Sequence, residues 1–174
     1  MKRALLLDRD GIINKRIVGG YVRTPREFEL LADVVPILMM ARQQGCELIL
    51  ITNQQGVGKG LMTPSDLDSV HEAMQSQLEE HGVRLDAIYV CTDLAASNSP
   101  RRKPAPGMLL EAIADHDLDA AQCWFLGDSL TDAQAGRAAG VRTVLVGEFS
   151  ADDADVVAPT LADVYQPLLS ALAL

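Results

Sequence analysis

Two aspartates, Asp8 and Asp10, follow the apolar run 5–7 and come directly before Gly11. An apolar run of this length predicts a buried strand, and glycine lets the backbone turn beyond it. Side chains two apart on a strand point to the same face, so the two carboxylates are expected to converge. Because like charges repel, they need a cation between them, most naturally Mg²⁺ with its oxygen ligands. The alternative is an Asp-Gly turn with both carboxylates in water.

Further polar residues stand at the ends of the other apolar runs. Thr52 and Asn53 end the second run, Asp128 follows the fourth, and Lys103 lies on the long loop after the third. The carboxyl ends of parallel strands meet at one edge of a sheet, where ligands bind. Carboxylates, a hydroxyl and a lysine collected there form a site for a phosphoryl group and a divalent metal ion. Taken singly, each has a simpler explanation: a turn at Thr52, a solvated Lys103, or a helix cap after Asp128.

Short apolar runs alternate with longer segments of helical periodicity. The apolar runs predict strands at 4–7, 47–52, 87–91, 123–126 and 143–146. The periodic segments predict helices at 34–44, 64–81, 107–116, 131–139 and 160–172. The stretch 150–159 is predicted to be only an acidic, alanine-rich connection. Parallel neighbours need crossover connections, so the pattern predicts an α/β fold, a three-layer α/β/α, Rossmann-like arrangement around a central parallel sheet.

Composition and charge restrict the class of protein. The 174 residues are 48% apolar and 22% charged, which indicates one globular domain, 1–174, with its own core. The formal net charge of −9 disfavours nucleic acid and anionic membranes as partners. The apolar stretch 4–7 is too short for a signal peptide, and no transmembrane run is present. Three cysteines in or beside apolar segments, Cys46, Cys91 and Cys123, predict reduced thiols in a cytoplasmic protein.

The order of these motifs resembles the haloacid dehalogenase (HAD) superfamily of phosphohydrolases. The resemblance covers nearly the whole chain and is carried by Asp8-x-Asp10-Gly11, Thr52-Asn53, Lys103-Pro104 and Gly127-Asp128-Ser129-x-x-Asp132. It implies that Asp8 is the nucleophile, which becomes an aspartyl-phosphate. Asp10 is then the general acid for the leaving alcohol and afterwards the base for water. A carboxylate nucleophile splits one difficult displacement into two, and its neighbour moves the proton each way.

The same resemblance assigns the binding roles. Mg²⁺ is expected on Asp8, the backbone carbonyl of Asp10, and Asp128, where it neutralises the carboxylates and the phosphate. Thr52 and the Asn53 N–H are expected to bind phosphoryl oxygens, and Lys103 to offset the transferring charge and position Asp8. Behind these groups, the residues expected to orient the metal ligands or the lysine are Asp132 and Ser129.

Within the superfamily, the chain resembles the subgroup of heptose bisphosphate and histidinol-phosphate phosphatases. The stretches that carry this likeness are Asp8-Arg9-Asp10-Gly11, Gly20-Tyr21-Val22, Thr52-Asn53-Gln54-Gln55-Gly56 and Arg102-Lys103-Pro104. Such enzymes are compact and lack a large cap domain. The implied substrate residues are Gly19, Gly20 and Tyr21 on the leaving-group side, Asn53, Gln54 and Gln55 in the phosphate loop, and Arg102 for a distal anion or hydroxyl. A surface role for Arg102 is the alternative.

The chain departs from that subgroup in the loop before the lysine. Many members hold a structural zinc there through Cys-x-His and Cys-x-Cys pairs, but this chain has Cys91, Asp93, Ser99 and Arg101 at those positions. One thiolate cannot hold a structural Zn²⁺, so no zinc is expected. The loop 93–102 is then predicted to be held only by packing or by a partner subunit. Two extra residues before the Gly-Tyr pair also reshape the pocket mouth.

Some other candidate motifs are unconvincing. The stretch 56–60 lacks the spacing of a phosphate-binding P-loop and is predicted to be a flexible turn with Lys59 exposed. The three histidines, His71, His81 and His116, are predicted to be surface or helix-end residues, and Trp124 a core residue.

The sequence therefore predicts a Mg²⁺-dependent phosphomonoesterase acting through an aspartyl-phosphate. The expected substrate is a sugar phosphate such as D-glycero-D-manno-heptose 1,7-bisphosphate, losing its 7-phosphate; histidinol phosphate or another polyol phosphate is the alternative. A non-catalytic phosphate-binding protein is a different class, disfavoured because every motif acid is present. Transfer to an acceptor other than water stays open, as does the choice between a monomer and a small homo-oligomer.

Overall fold

The computed structural model describes residues 1–173, in which parallel strands and helices alternate. The strands are β1 (Arg3–Leu7), β2 (Cys46–Asn53), β3 (Ala87–Cys91), β4 (Trp124–Gly127), β5 (Arg142–Val146) and β6 (Val156–Ala158). The helices are α1 (Val34–Gln43), α2 (Gln55–Gly58), α3 (Pro64–Glu80), α4 (Gly107–Asp115), α5 (Leu130–Ala138) and α6 (Tyr165–Leu172). No helix in this part of the chain combines the length and the apolar character needed to cross a membrane.

All six strands belong to one sheet in the order β3-β2-β1-β4-β5-β6. β1 lies between β2 and β4, with Leu5 opposite Leu48 on one side and Trp124 on the other. Alternate β1 residues enter different cores: Leu5 and Leu7 pack in one cluster, Ala4 and Leu6 in another. Helices therefore cover both faces, which confirms the predicted three-layer α/β/α fold.

The strand order reverses at β1, since β2 and β3 extend to one side and β4 to β6 to the other. In such sheets the connections after neighbouring strands diverge at the reversal and leave a crevice at the carboxyl ends. The residues that follow β1 and β4 therefore lie at the position where this fold class binds ligands.

Two predicted connections are partly regular structure. The stretch 150–159 contains β6, in which Val156 pairs with Val144 of β5, and the loop after β2 contains the single-turn helix α2. β6 is three residues long, too short for its alternation to be recognised in the sequence. It becomes a strand only because β5 offers it an edge.

The cysteines and the tryptophan lie where the sequence predicted. Cys46, Cys91 and Cys123 are buried free thiols. Trp124 is 5% exposed and lies in the core, as expected.

Packing of α5 on β5 depends on Gly136. A Cβ at this position would lie 2.4 Å from Thr143 Cγ2, and Thr143 cannot rotate away freely because its hydroxyl donates to Asp155 Oδ2 at 3.1 Å. Gly136→Ala is expected to lower the free energy of unfolding by about 1–2 kcal/mol, since overpacking outweighs the ~1 kcal/mol gain in helix propensity. Urea unfolding measures the change.

A matched control lies on the same helix. Gln134 is exposed, so Gln134→Ala is expected to change the stability by less than ~0.5 kcal/mol. Equal stability of Gly136→Ala and wild type would show that the two elements do not pack as closely as described.

Candidate active site

A buried lysine joins the strand ends. Lys103 Nζ donates to Asp8 Oδ1 at 2.9 Å and to the Ile51 carbonyl at 2.9 Å, and it lies 2.7 Å from Asp132 Oδ1. Asp8 directly follows β1, Ile51 is in β2 and Asp132 is in the first turn of α5. Only 4% of Lys103 is exposed. The sequence-predicted pairing of Lys103 with Asp8 is therefore present, with Asp132 as a second anionic partner.

Burial and charge set the protonation of this cluster. Burial raises the pKa of Asp8 to about 7, although the charge of Lys103 acts in the opposite direction, and repulsion from Asp132 raises it further. For Lys103, burial lowers the pKa, but Asp8 and Asp132 together raise it above the ordinary value. The lysine is thus a permanent cation beneath the Asp8 carboxyl group.

The pKa of Asp10 is shifted in the opposite direction to that of Asp8. Its carboxylate accepts hydrogen bonds from Asn14 Nδ2 at 3.0 Å, Gln54 Nε2 at 2.8 Å and Arg9 Nη2 at 3.2 Å. Burial alone raises its pKa, but the charge of Arg9 and these hydrogen bonds bring the pKa below the ordinary value. Two carboxyls separated by one residue therefore differ in acidity.

Three carboxylates form the one group of potential metal ligands found within residues 1–173. One carboxylate oxygen each from Asp8, Asp128 and Asp132 lies within 4.8 Å of the other two. Burial raises the pKa of Asp128 to about 6, although nearby Arg16 lowers it. Gly11 is required beside them: its φ is +89°, and a Cβ there would lie 2.0 Å from Asp128 Oδ2. Hard oxygen donors at this spacing suit Mg²⁺.

Asp132 is already engaged by its own helix. Its Oδ2 accepts hydrogen bonds from the backbone N–H groups of Asp128 and Ser129 and from Ser129 Oγ. This is the N-terminal cap of α5, and it fixes the turn that carries Asp128. Asp132 and Ser129 therefore hold the turn that carries Asp128.

The end of β2 presents a buried hydroxyl and a structural amide. Thr52 is fully buried, and its Oγ1 accepts from Gln54 Nε2 at 3.0 Å, while a hydroxyl can also donate its own proton. The Asn53 side chain holds the backbone of Lys103 through two 3.1 Å bonds. Gln54 is only 1% exposed, so its side chain organises Thr52 and Asp10 behind the cavity wall.

A cavity of about 660 Å³ opens above Asp10. It brings together most of the sequence-predicted substrate residues, namely Gly19, Gly20, Tyr21, Asn53, Gln55 and Arg102, with Ser129 at the same wall. Arg16, Lys59 and Thr131 also line it and were not assigned from the sequence. Arg16 Nη2 lies 3.0 Å from Asp128 Oδ1, and Lys59 Nζ donates to the Tyr21 hydroxyl at 3.0 Å. The mouth of the site is therefore cationic in a chain of net charge −9.

The loop before Lys103 is not held by packing alone, which corrects the sequence-based expectation. Arg101 Nε lies 2.8 Å from Glu111 Oε1, its Nη2 lies 3.0 Å from Glu111 Oε2, and its Nη1 donates to the Val90 carbonyl at 2.9 Å. Arg102 Nη1 donates to the Asp93 carbonyl at 3.1 Å. A guanidinium fork thus fastens the loop to α4 and β3, and the loop directs Arg102 toward the cavity.

One histidine was misjudged from the sequence. His71 in α3 is 7% exposed, not a surface residue, and its Nε2 lies 3.1 Å from Arg9 Nη1. The histidine and the arginine are 62 positions apart, so no local signal joins them. A second cavity of about 730 Å³ lies on the α3 side of His71 and contains none of the predicted site residues.

Comparisons with known proteins identify the family of this chain. Residues 100–169 match a family model described as HAD-hydrolase-like. The D-glycero-alpha-D-manno-heptose-1,7-bisphosphate 7-phosphatase of Mycobacterium tuberculosis is 40% identical over 131 residues, 75% of this chain and 69% of that protein. The D-glycero-beta-D-manno-heptose-1,7-bisphosphate 7-phosphatase of Helicobacter pylori is 38% identical over 145 residues, 83% of each chain.

A solved structure extends the likeness to the whole fold. The D,D-heptose 1,7-bisphosphate phosphatase of B. bronchiseptica, complexed with magnesium and phosphate, superposes with a TM-score of 0.86 at 31% identity. The match covers 98% of this chain and 99% of that one. The chain therefore belongs to the haloacid dehalogenase superfamily, as a phosphatase of the same family as these heptose-bisphosphate phosphatases.

Proposed function

We propose that this phosphatase removes the 7-phosphate of D-glycero-D-manno-heptose 1,7-bisphosphate, with Asp8 as the nucleophile and Mg²⁺ as the cofactor. The observation that carries the proposal is the Asp8 carboxylate at the end of β1, paired at 2.9 Å with the buried Lys103 and flanked by Asp128 and Asp132. Asp10, two positions further on, lines a cavity that also holds Arg16, Lys59 and Arg102. The chain is related to enzymes named for this substrate.

Asp8 begins the reaction in the proposed mechanism. One of its oxygens attacks phosphorus, the bond from phosphorus to the sugar oxygen breaks, and an aspartyl-phosphate forms. Lys103 holds the Asp8 carboxylate in place and offsets the negative charge that accumulates on the transferring group. The Thr52 hydroxyl, which accepts from Gln54 Nε2, donates its own proton to a phosphoryl oxygen.

Asp10 moves the proton. It gives a proton to the departing sugar oxygen and later takes one from the water that attacks the aspartyl-phosphate. Its carboxylate is fixed by Asn14, Gln54 and Arg9, so it can serve both steps without reorientation. Phosphate release then restores the free enzyme.

The carboxylates fit a divalent cation by chemistry and spacing. Asp8, the backbone carbonyl of Asp10, and Asp128 are the proposed ligands, with Asp132 retained by Lys103 and the α5 cap. When bound, Mg²⁺ supplies positive charge that lets an anionic nucleophile approach an anionic phosphate.

The cationic side chains at the cavity mouth are proposed to bind the second phosphate of the substrate. Arg102 lines the cavity, and a guanidinium suits a phosphate through paired hydrogen bonds. The relatives are named for both the alpha and the beta substrate, so both anomers are candidate substrates.

The first experiment is phosphate release with Mg²⁺ from a panel of substrates. The panel contains both anomers of the heptose bisphosphate, heptose 7-phosphate, other sugar phosphates and histidinol phosphate. We expect the heptose bisphosphates to exceed the substrates that lack a second phosphate in kcat/KM by at least about 10-fold, because a distal phosphate contact contributes roughly 1.5–3 kcal/mol. A preference for histidinol phosphate would contradict the proposed substrate. Equal rates would show that a contact with the distal phosphate does not contribute to substrate selection.

Replacing Asp8 tests the nucleophile. Asp8→Asn is expected to lower kcat/KM by about a thousandfold or more, since an amide oxygen is a poor nucleophile. Asp68→Asn is the matched control, because Asp68 is an exposed aspartate on α3, and it should retain wild-type activity. Unchanged hydrolysis by Asp8→Asn would assign the attack to another group.

Metal binding should depend on pH. The raised pKa values of Asp8, about 7, and Asp128, about 6, mean that protons compete with Mg²⁺ in mildly acidic solution. The increase in Tm caused by Mg²⁺ is therefore expected to grow from about pH 5.5 to about pH 8, as both carboxyls ionise. Thermal unfolding with and without Mg²⁺ measures it.

Asp128→Asn provides the control for this measurement. The variant loses one proposed ligand and should show a much smaller Mg²⁺-induced increase in Tm at both pH values. The same increase in the wild type at both pH values would contradict metal ligation by these two carboxylates.

A further inference from the structure

Arg9, between the two motif aspartates, is completely buried. Its Nη2 donates to Asp10 Oδ1 and Oδ2, each at 3.2 Å, and to Gln54 Oε1 at 3.1 Å. Its Nη1 lies 3.1 Å from His71 Nε2. The guanidinium therefore links helix α3 with the carboxylate proposed as the proton carrier.

Few groups compensate this buried cation. Asp10 is its one carboxylate partner within residues 1–173, and Asp10 also serves Asn14 and Gln54. Arg9 Nε has no hydrogen-bond partner in the same described range. Because unpaired donors on a buried cation are costly, the remaining neutral acceptors are important for holding Arg9 in place. His71 is the acceptor on the Nη1 side.

The His71 ring has a defined protonation state. A guanidinium only donates, so His71 Nε2 accepts and the ring proton is on Nδ1. Burial and the charge of Arg9 lower the pKa of His71 to about 4, although Asp10 opposes the shift. The neutral ring therefore remains an acceptor at neutral pH.

We propose that His71 is a positioning residue of this phosphatase: through Arg9 it fixes the Asp10 carboxylate where the leaving oxygen receives its proton. The inference rests on the proposed function of Asp10. Without an acceptor at position 71, the Arg9 guanidinium is expected to turn toward other acceptors, and Asp10 then loses one of the three side chains that orient it.

The leaving group distinguishes this role from simple structural support. A sugar or other alkyl phosphate needs a proton on its departing oxygen, whereas 2,4-dinitrophenolate leaves without one. The value of kcat/KM reports the steps through the departure of the leaving group. A misplaced Asp10 therefore lowers kcat/KM for the alkyl substrate and spares the aryl substrate.

The experiment compares His71→Leu and His71→Gln with wild type on the preferred sugar phosphate and on 2,4-dinitrophenyl phosphate. His71→Leu removes the acceptor and is expected to lower kcat/KM for the sugar phosphate by about 10-fold or more, but for the aryl phosphate by less than about 2-fold. Glutamine keeps an acceptor oxygen, so His71→Gln should retain most of the activity on both.

Two further variants complete the test. His81→Leu, at the exposed end of the same helix, should match wild type on both substrates. Arg9→Lys keeps the charge but has fewer donors, so it should show the same selective loss. It tests the contact between position 9 and Asp10 if circular dichroism shows that His71→Leu does not fold.

The outcomes distinguish a failure of the positioning role of His71 from a failure of the proposed function. Equal losses on both substrates, or no loss on either, would overturn the positioning role of His71. A wild-type protein that hydrolyses neither substrate would instead overturn the proposed function, and the inference with it. Selective loss in His71→Leu and recovery in His71→Gln would establish the role.

Discussion

The site depends on one buried ammonium group. Lys103 Nζ lies between Asp8 and Asp132 and also donates to the Ile51 carbonyl. A buried cation is stable only when anionic and hydrogen-bonding partners surround it, and the carboxylates equally need the cation. These partners come from the ends of β1 and β2 and from α5. Displacement of the end of β1 or of α5 therefore separates a carboxylate from the ammonium, so the same ion pairs that assemble the site also fix its geometry.

Asp8 and Asp10 acquire different acidities because different groups surround them. Asp8 is buried above an ammonium and close to two further carboxyls, and its pKa rises to about 7. Asp10 receives hydrogen bonds from three side chains, one of them a guanidinium, and its pKa falls. Lys103 comes from a distant loop, whereas Arg9 is adjacent in sequence. One strand end can therefore hold two carboxyls suited to different tasks.

The sequence was informative where the signal was local or carried by a family motif. Apolar runs located the five longer strands, and three of the four HAD motifs contain the three carboxylates and the lysine that lie close together at the strand ends. β6 was missed because three residues carry no periodicity. The His71–Arg9 and Arg101–Glu111 contacts were missed because each joins side chains that only the packed fold brings together, 62 and 10 positions apart.

The low pKa of Asp10 constrains the order of proton movements. In the free enzyme its carboxylate is ionised at neutral pH, which is the state required of a base but not of an acid. A phosphoryl anion placed beside Asp10 raises its pKa through charge repulsion. In the proposed mechanism, the proton needed by the leaving oxygen is therefore taken up when substrate binds. The hydrogen bonds from Asn14, Gln54 and Arg9 then return Asp10 to its ionised state once phosphate has left.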